Sequence, residues 1–471
     1  MEPSLRPEQL DRLQGATLRV LETTGVRFES QQALSVLRDG GIRLDGAVAR
    51  PNARQVEWAL EAAPRTYDLY DRQGRRVATR GAPDQLWYGV GGGATRLLDW
   101  RSGQLRAFAL ADAEETAKLS DCLAPILHAS HGGFISDVPG ELADLYAFSV
   151  RFRASEKPQV LPARSGRALR QMVGILAAEV GGIEELRKRP RLEVGVNTQS
   201  PLIITADGCD MLVEGAKLGL PVSASGWPQL GATAPVTVAG AVVVAHAECL
   251  AGLVLAQLVR EGTPYCTYGS TPVFDMRRMV CSTGGPERAL GNALLIGLAR
   301  HLGLPASCSA VCTDSPEIGL QAGFERAMLC LSAALAGADM VSGLGWLDNG
   351  NVFSPELLVL DVEMGEAVRR FASGVAVDMD PLALDTIEEV GPGGHFLEEK
   401  HTLTHFRDAV WYPSLWNQSP QRPASEEGDD GASEARDLRR RVRLRVQELL
   451  DSHEAPRISV QAKQALDDLV G

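Results

Sequence analysis

From Leu86 to Ala372 the chain repeats one rhythm: a short apolar run, a polar turn, a helix-length segment, then the next apolar run. The apolar runs fall at Trp87–Val90, Ile126–Ser130, Gln159–Pro162, Leu192–Val196, Val222–Ser225, Tyr265–Tyr268, Ala306–Val311 and Met340–Ser342. The helix-length segments are Asp112–Ala124, Glu141–Ala154, Arg167–Val180, Ala206–Leu218, Val238–Glu261, Gly285–Leu302, Gln321–Ala336 and Pro355–Ala372. Short runs apolar on both faces suit parallel strands, and parallel strands need long crossover connections. About eight such units predict an α/β fold: a (β/α)8 TIM-type barrel over 81–419. A doubly wound open sheet is the competing topology, because closure is written in no single segment. In either fold, chemistry gathers where strands run out into loops at their carboxyl ends.

The flanks differ from this middle. Residues 1–80 read as an extension: helices over Gln9–Thr24, from Ser30 to near Gly40 and over Asn52–Ala63, then an alternating hairpin at Tyr67–Val77. Residues 420–471 begin with a polar, acidic linker at Pro420–Ala435. A charged amphipathic helix over Asp437–Ser452 and a short one over Val460–Leu469 follow, to pack on the body or on a second subunit. A homodimer is the expectation drawn from that tail.

Charge and cysteine usage narrow the partners. The net charge of −13 argues against nonspecific binding to nucleic acid or anionic membranes. The longest apolar stretch, Val236–Val259, is broken by His246, Glu248 and Gln257 and reads as a buried helix rather than a membrane span. The amino terminus lacks the apolar core of a signal peptide. Eight scattered cysteines fit reduced thiols and a cytoplasmic location.

The stretch with most chemistry is Ser309–Asn351, in which two strands end in polar or aromatic loops. The first is Thr313-Asp314-Ser315-Pro316, and the second is Gly343-Leu344-Gly345-Trp346-Leu347-Asp348-Asn349-Gly350. The glycine-rich run Gly89–Ala94 lacks a phosphate-loop ending and reads as a loop at the barrel mouth. His395, His401 and His405 have spacings that suit either polar packing or a zinc site.

Several motifs in order resemble the trimethylamine methyltransferase superfamily, the corrinoid-dependent methyltransferases. They are Leu21-Glu22-Thr23-Thr24-Gly25-Val26, Tyr268-Gly269 with Asp275-Met276-Arg277, Gly285-Pro286-Glu287, and Thr313-Asp314 before Gln321-Ala322-Gly323. Gly343-Leu344-Gly345 and Val390-Gly391-Pro392-Gly393-Gly394-His395-Phe396-Leu397 complete the set, with His401-Thr402 and His405-Phe406-Arg407 beyond. Members divide into those that carry pyrrolysine and those that lack it and act on quaternary amines such as glycine betaine. All 471 residues here are standard ones, so the resemblance implies the second group.

It also implies transfer of a methyl group from a quaternary amine to the Co(I) of a corrinoid (cobalamin) on a separate small protein, with no tightly bound metal in this chain. A cation is held best by aromatic faces. Trp346, with Asp348 and Asn349, is therefore the candidate catalytic group. Tyr88, Phe134, Trp227, Tyr268, Asp314 and Arg277 are candidates for binding substrate. Asn197, Gly393, Gly394 and His395 are candidates for meeting the corrinoid. Each aromatic has packing as its alternative, Asp348 a helix-capping role, Asn197 a turn role and Arg277 a surface ion pair. Two other functions compete: a zinc-dependent methyltransferase using His395, His401 and His405, and a binder of small cationic osmolytes without catalysis.

Overall fold

A computed structural model describes residues 6–83, 85–161, 165–416 and 438–470. The linker expected at 420–435 lies outside them. Seven parallel strands form one sheet: β1 Trp87–Val90, β2 Gln159–Val160, β3 Leu192–Asn197, β4 Val222–Gly226, β5 Tyr265–Gly269, β6 Ala306–Ser309 and β7 Met340–Leu344. Their order is β1-β7-β6-β5-β4-β3-β2. The segment 126–129 supplies the missing stave. Tyr88 bridges Ile126 and Ala129 bridges Gln159, both in parallel sense. Backbone bonds Leu127 N to Tyr88 O and Ala129 N to Pro158 O, each 2.9 Å, join β1 to β2 through it. The sheet therefore closes, and the barrel expectation holds over the open sheet.

Eight helices surround it: α1 Leu110–Cys122, α2 Ala143–Ala154, α3 Gly166–Val180, α4 Ala206–Lys217, α5 Val238–Val259, α6 Pro286–His301, α7 Leu320–Leu335 and α8 Pro355–Ala372. Their starts are encoded locally. Ser165, Thr205, Thr237 and Ser354 each accept a hydrogen bond from the backbone N–H three residues on, and proline opens α6 and α8. Helix α5 is apolar all round because it is sandwiched. The barrel lies on one side of it and the amino-terminal helix Pro7–Thr23 on the other. The imidazole of His246 on α5 meets Gln14 of that helix at 2.9 Å.

The hairpin Tyr67–Tyr70 and Arg76–Arg80 has a specific job: it stoppers the barrel at the amino ends of the strands. Arg80, 2% exposed, enters the bore. It donates to Ser307 Oγ (2.5 Å) on β6 and pairs with Glu193 (3.3 Å) on β3. Glu193 also meets His128 Nε2 at 2.7 Å and accepts from the Tyr67 hydroxyl. These charges are affordable in the interior because each has a partner.

The tail helix Leu438–Ser452 buries Val442, Val446 and Leu449 against α1 and α8. Arg443 reaches the buried Glu356 at 2.6 Å. The last helix, Val460–Val470, packs Ala462 and Leu466 on α3 and α2. Both therefore lie on the body of their own chain.

Candidate functional site at the barrel mouth

Barrels of this class usually fill their bore with branched apolar side chains. Here the upper inward positions are small or polar. The Tyr268 hydroxyl on β5 bonds Ser342 Oγ on β7, passing over the intervening β6, so both side chains point inward. Gly89 on β1 sits against Ser342: a Cβ there would lie 2.9 Å from the serine Cβ. Tyr268 is ringed by other aromatic and cationic groups. Trp227, just beyond β4, lies with its ring centroid 6.3 Å away, tilted by 32°, and its indole N–H donates to Ser225 Oγ at 2.5 Å.

Under Trp227 lies Arg288, whose guanidinium carbon is 5.7 Å from the indole centroid. It is fully buried and donates to Ser270 Oγ (2.8 Å), Thr283 O (3.0 Å) and Ser309 O (2.9 Å). It tells three loops where to sit. Among the described residues it has no carboxylate partner.

The second aromatic group is built on β7. Trp346 follows Gly345, whose φ of +85° turns the chain sharply. The indole lies over Gly91, where an added Cβ would fall 2.2 Å from Nε1. It also adjoins Gly93, with Phe134 on the far side. Its Nε1 is buried without a partner. The glycine run of 89–93 thus makes room for a tryptophan. From below, Arg326 on α7 and Asp361 on α8 form a two-pronged ion pair, one prong 2.7 Å long. Arg326 also donates to Trp346 O (2.5 Å), and Asp361 accepts from Gly345 N (2.7 Å). Burial pushes the Asp361 carboxyl up to about 6, against the pull of the guanidinium.

Asp348 and Asn349 have left-handed φ values of 48° and 56°. Their N–H groups donate to Ser315 O and Thr313 O, both 2.9 Å, tying the β7 loop to the β6 loop. The Asp348 carboxylate is half-buried and has no partner among the described residues. It does not cap α8, since Ser354 does that.

Asp314 is a latch rather than a free anion. It accepts from Ser282 Oγ and Thr283 N (2.5 Å each) and from Gly284 N (3.0 Å). The amide nitrogen of Asn349 joins it and also donates to Cys281 O (3.1 Å). Glu325 completes the knot by accepting from Thr313 Oγ1 (2.5 Å) and Asp314 N (2.9 Å).

The mouth therefore gathers Trp227 with Tyr268, Trp346 with Phe134, and Asp348, Asn349 and Asp314 among the loops. Asn197 is exposed at the end of β3. Other expectations are corrected. Tyr88 points out of the barrel: its hydroxyl donates to Gly365 O on α8 (2.5 Å), and its ring fills the space that glycine leaves. Side chains alternate along a strand, so Tyr88 is outward because Gly89 is inward. Arg277 is 87% exposed at its side chain and pairs with Asp275 (3.3 Å) on the Val273–Asp275/Val280–Ser282 hairpin, the surface ion pair of the alternative reading. Gly393, Gly394 and His395 are exposed on the segment that follows α8.

On the same segment the His401 and His405 rings are 4.4 Å apart, and His405 meets Asp380 at 3.3 Å. Among the described residues no group of three or more His, Cys, Asp or Glu is placed to hold a metal.

Sequence reasoning missed Arg288 and His131. His131 lies just past the 126–129 stave, with Nδ1 buried and unpartnered. Burial beside Arg151 lowers it to about 3, so the ring is neutral at pH 7. A lone Arg or His in a helix start or loop carries no local signal of such placement.

Comparison with known proteins agrees with this architecture. The family model for trimethylamine methyltransferase (MTTB) matches residues 2–471. A trimethylamine methyltransferase, MttB, of Desulfitobacterium hafniense is 30% identical over 85% of this chain and 81% of its own. A glycine betaine methyltransferase of the same species is 29% identical over 99% of this chain and 96% of its own. The solved monomethylamine methyltransferase MtmB of Methanosarcina barkeri superimposes with a TM-score of 0.52 at 10% identity, over 96% of this chain and 89% of that one. At that identity it speaks for the fold alone.

Proposed function

The chain belongs to the trimethylamine methyltransferase family, and from that premise we propose that it moves a methyl group from a small betaine-like quaternary amine to a corrinoid. The corrinoid rides on a separate small protein and supplies the electron pair that takes the methyl group. The observation that carries the reading is the aromatic mouth: Trp227 with Tyr268 on one side, Trp346 with Phe134 on the other, and the half-buried Asp348 two residues on from Trp346 in the same loop.

The chemistry needs little acid or base. One C–N bond breaks, its electron pair stays on nitrogen, and the product leaves as a neutral tertiary amine, so no proton has to be delivered there. What remains for the protein is orientation and a setting suited to a cation. Indole and phenol faces attract such a cation by about 0.5–2 kcal/mol each. Asp348 adds a full negative charge at the same loop. The neutral His131 and the unpartnered Trp346 Nε1 are polar groups left for a ligand to meet. The eight free cysteines support the reading that the protein works in the reducing cytoplasm.

The test combines the purified chain with chemically reduced cobalamin, without oxygen, and one of glycine betaine, proline betaine, carnitine or choline. Loss of one methyl group from a single amine, read by NMR, is the expected result. Binding by calorimetry without demethylation would favour an osmolyte binder, and absence of both would sink the proposal.

A further inference from the structure

Three polar residues interrupt the apolar run of α5, and two of them have plain structural work. His246 meets Gln14 of the amino-terminal helix. Gln257 holds the turn that follows α5, donating to Thr263 O (2.8 Å) and accepting from Gly262 N (2.9 Å). The third, Glu248, is 0% exposed and faces the loop after β3. One carboxyl oxygen accepts from Leu202 N (2.8 Å), whose residue has a left-handed φ of 62°. The other meets Ser200 Oγ (2.9 Å) and Thr198 Oγ1. Among the described residues no cation pairs with it. The adjoining Cys249 thiol is turned to Ala224 O and Tyr268 O, 3.3 Å from each.

The state of Glu248 follows from the hydrogens. The Thr198 hydroxyl has one proton and lies against two acceptors, Glu248 Oε2 and Ser225 O, the latter at 2.9 Å. A backbone carbonyl can only accept, so Thr198 gives its proton to Ser225 O, and the acid supplies the proton of the other bond. We propose that Glu248 is held as an un-ionised acid and is a positioning residue for the mouth, fixing the end of β3 to the end of β4 and so seating Trp227. Its proton goes to Thr198, which grips Ser225 O through its N–H (3.0 Å) as well as its hydroxyl. Ser225 Oγ in turn receives the Trp227 indole. Asn197, one residue before Thr198, stands at the mouth on the same clamp. Burial raises the acid above its ordinary value, against the hydrogen bonds it accepts, and a carboxylate without a cation would be costly there. That Trp227 faces a substrate rests on the reaction proposed above; the proton and the seating do not.

The experiment compares Glu248→Gln, Glu248→Ala and Thr198→Val with the wild type. A carboxamide reproduces the bonds of an un-ionised acid: its oxygen accepts from Leu202 N, and its N–H groups donate to Thr198 and Ser200. It cannot replace a carboxylate that accepts from both. The infrared difference between wild type and Glu248→Gln is expected to show the C=O band of a carboxylic acid at pH 7. Trp227 emission, read as the difference between each chain and its Trp227→Phe counterpart, should shift in Glu248→Ala and in Thr198→Val. Calorimetry should find tetramethylammonium bound at least threefold more weakly by both, with unchanged circular dichroism, and Glu248→Gln should rescue most of both losses. A carboxylate band in place of the acid band overturns the proposal, as does a Glu248→Gln chain that fares no better than Glu248→Ala. So does a Thr198→Val chain whose Trp227 emission matches the wild type, and that variant decides the matter should Glu248→Ala fail to fold. Infrared and emission need no amine, so a wild type that binds none sinks the reaction proposed above while those two readouts still decide this inference.

Discussion

Arg326 and Asp361 clasp each other directly beneath Trp346, one donating to its carbonyl and the other accepting from the N–H of Gly345. Both side chains hold the backbone of the Gly345–Trp346 turn. Both decide where the indole stands.

Breaking the clasp leaves a buried charge uncompensated, at about 3–5 kcal/mol. Asp361→Ala is expected to lower stability by that amount in urea titrations. Arg326→Lys, which keeps the charge but loses the fork, should retain most of the stability and still reduce turnover. Equal activity in Arg326→Lys and wild type would separate the clasp from function.

Trp346→Ala is expected to keep the fold and weaken binding of a quaternary amine by roughly 2–30-fold, the range of one cation–π contact. Trp346→Phe should recover part of the loss. Isothermal calorimetry with glycine betaine reads both.

Gly91→Ala tests the cradle. A methyl group 2.2 Å from the indole nitrogen forces Trp346 out of place. Intrinsic fluorescence should shift and substrate affinity fall, while Gly92→Ala, which meets nothing within 4 Å, should change neither.

The stopper predicts acid sensitivity. Arg80 and His128 hold the Glu193 carboxyl well below its ordinary 4.5, against the effect of its burial. A depressed carboxyl stabilises the fold fully above that ordinary value and loses its contribution as pH falls below it. Glu193→Gln should cost about 3–5 kcal/mol at pH 7. It should also flatten the decline in melting temperature between pH 5 and 3 that the wild type is expected to show. An unchanged slope would remove Glu193 from the account.

The barrel could be read in the sequence because each strand is a compact apolar run between turn residues, and β1 and β3 to β7 fall at the expected places. The 126–129 stave was legible in the same way, although it pairs only through isolated bridges. What the runs do not carry is facing. A strand buried on both sides looks alike from either, so the sequence offers Tyr88 as a substrate-binding candidate, whereas its ring packs outward on α8. Trp346 stood out because glycines surround it in the sequence, but its cradle, Gly91, lies on a different strand end. Arg288 and His131 were missed because burial joins residues far apart in the chain. Asp314 was picked for its place after β6, and its role as a latch follows from Ser282 and Thr283, which only folding brings near.

The Arg80–Glu193 stopper has a kinetic consequence. A tube sealed at one end has a single doorway. On the proposed reaction, a small amine that lodges in the bore and a protein that settles over the rim must use that same doorway, so the amine has to enter before the acceptor closes it. That proposal carries a compulsory order: amine first, acceptor second, and the acceptor's departure before the spent amine can escape.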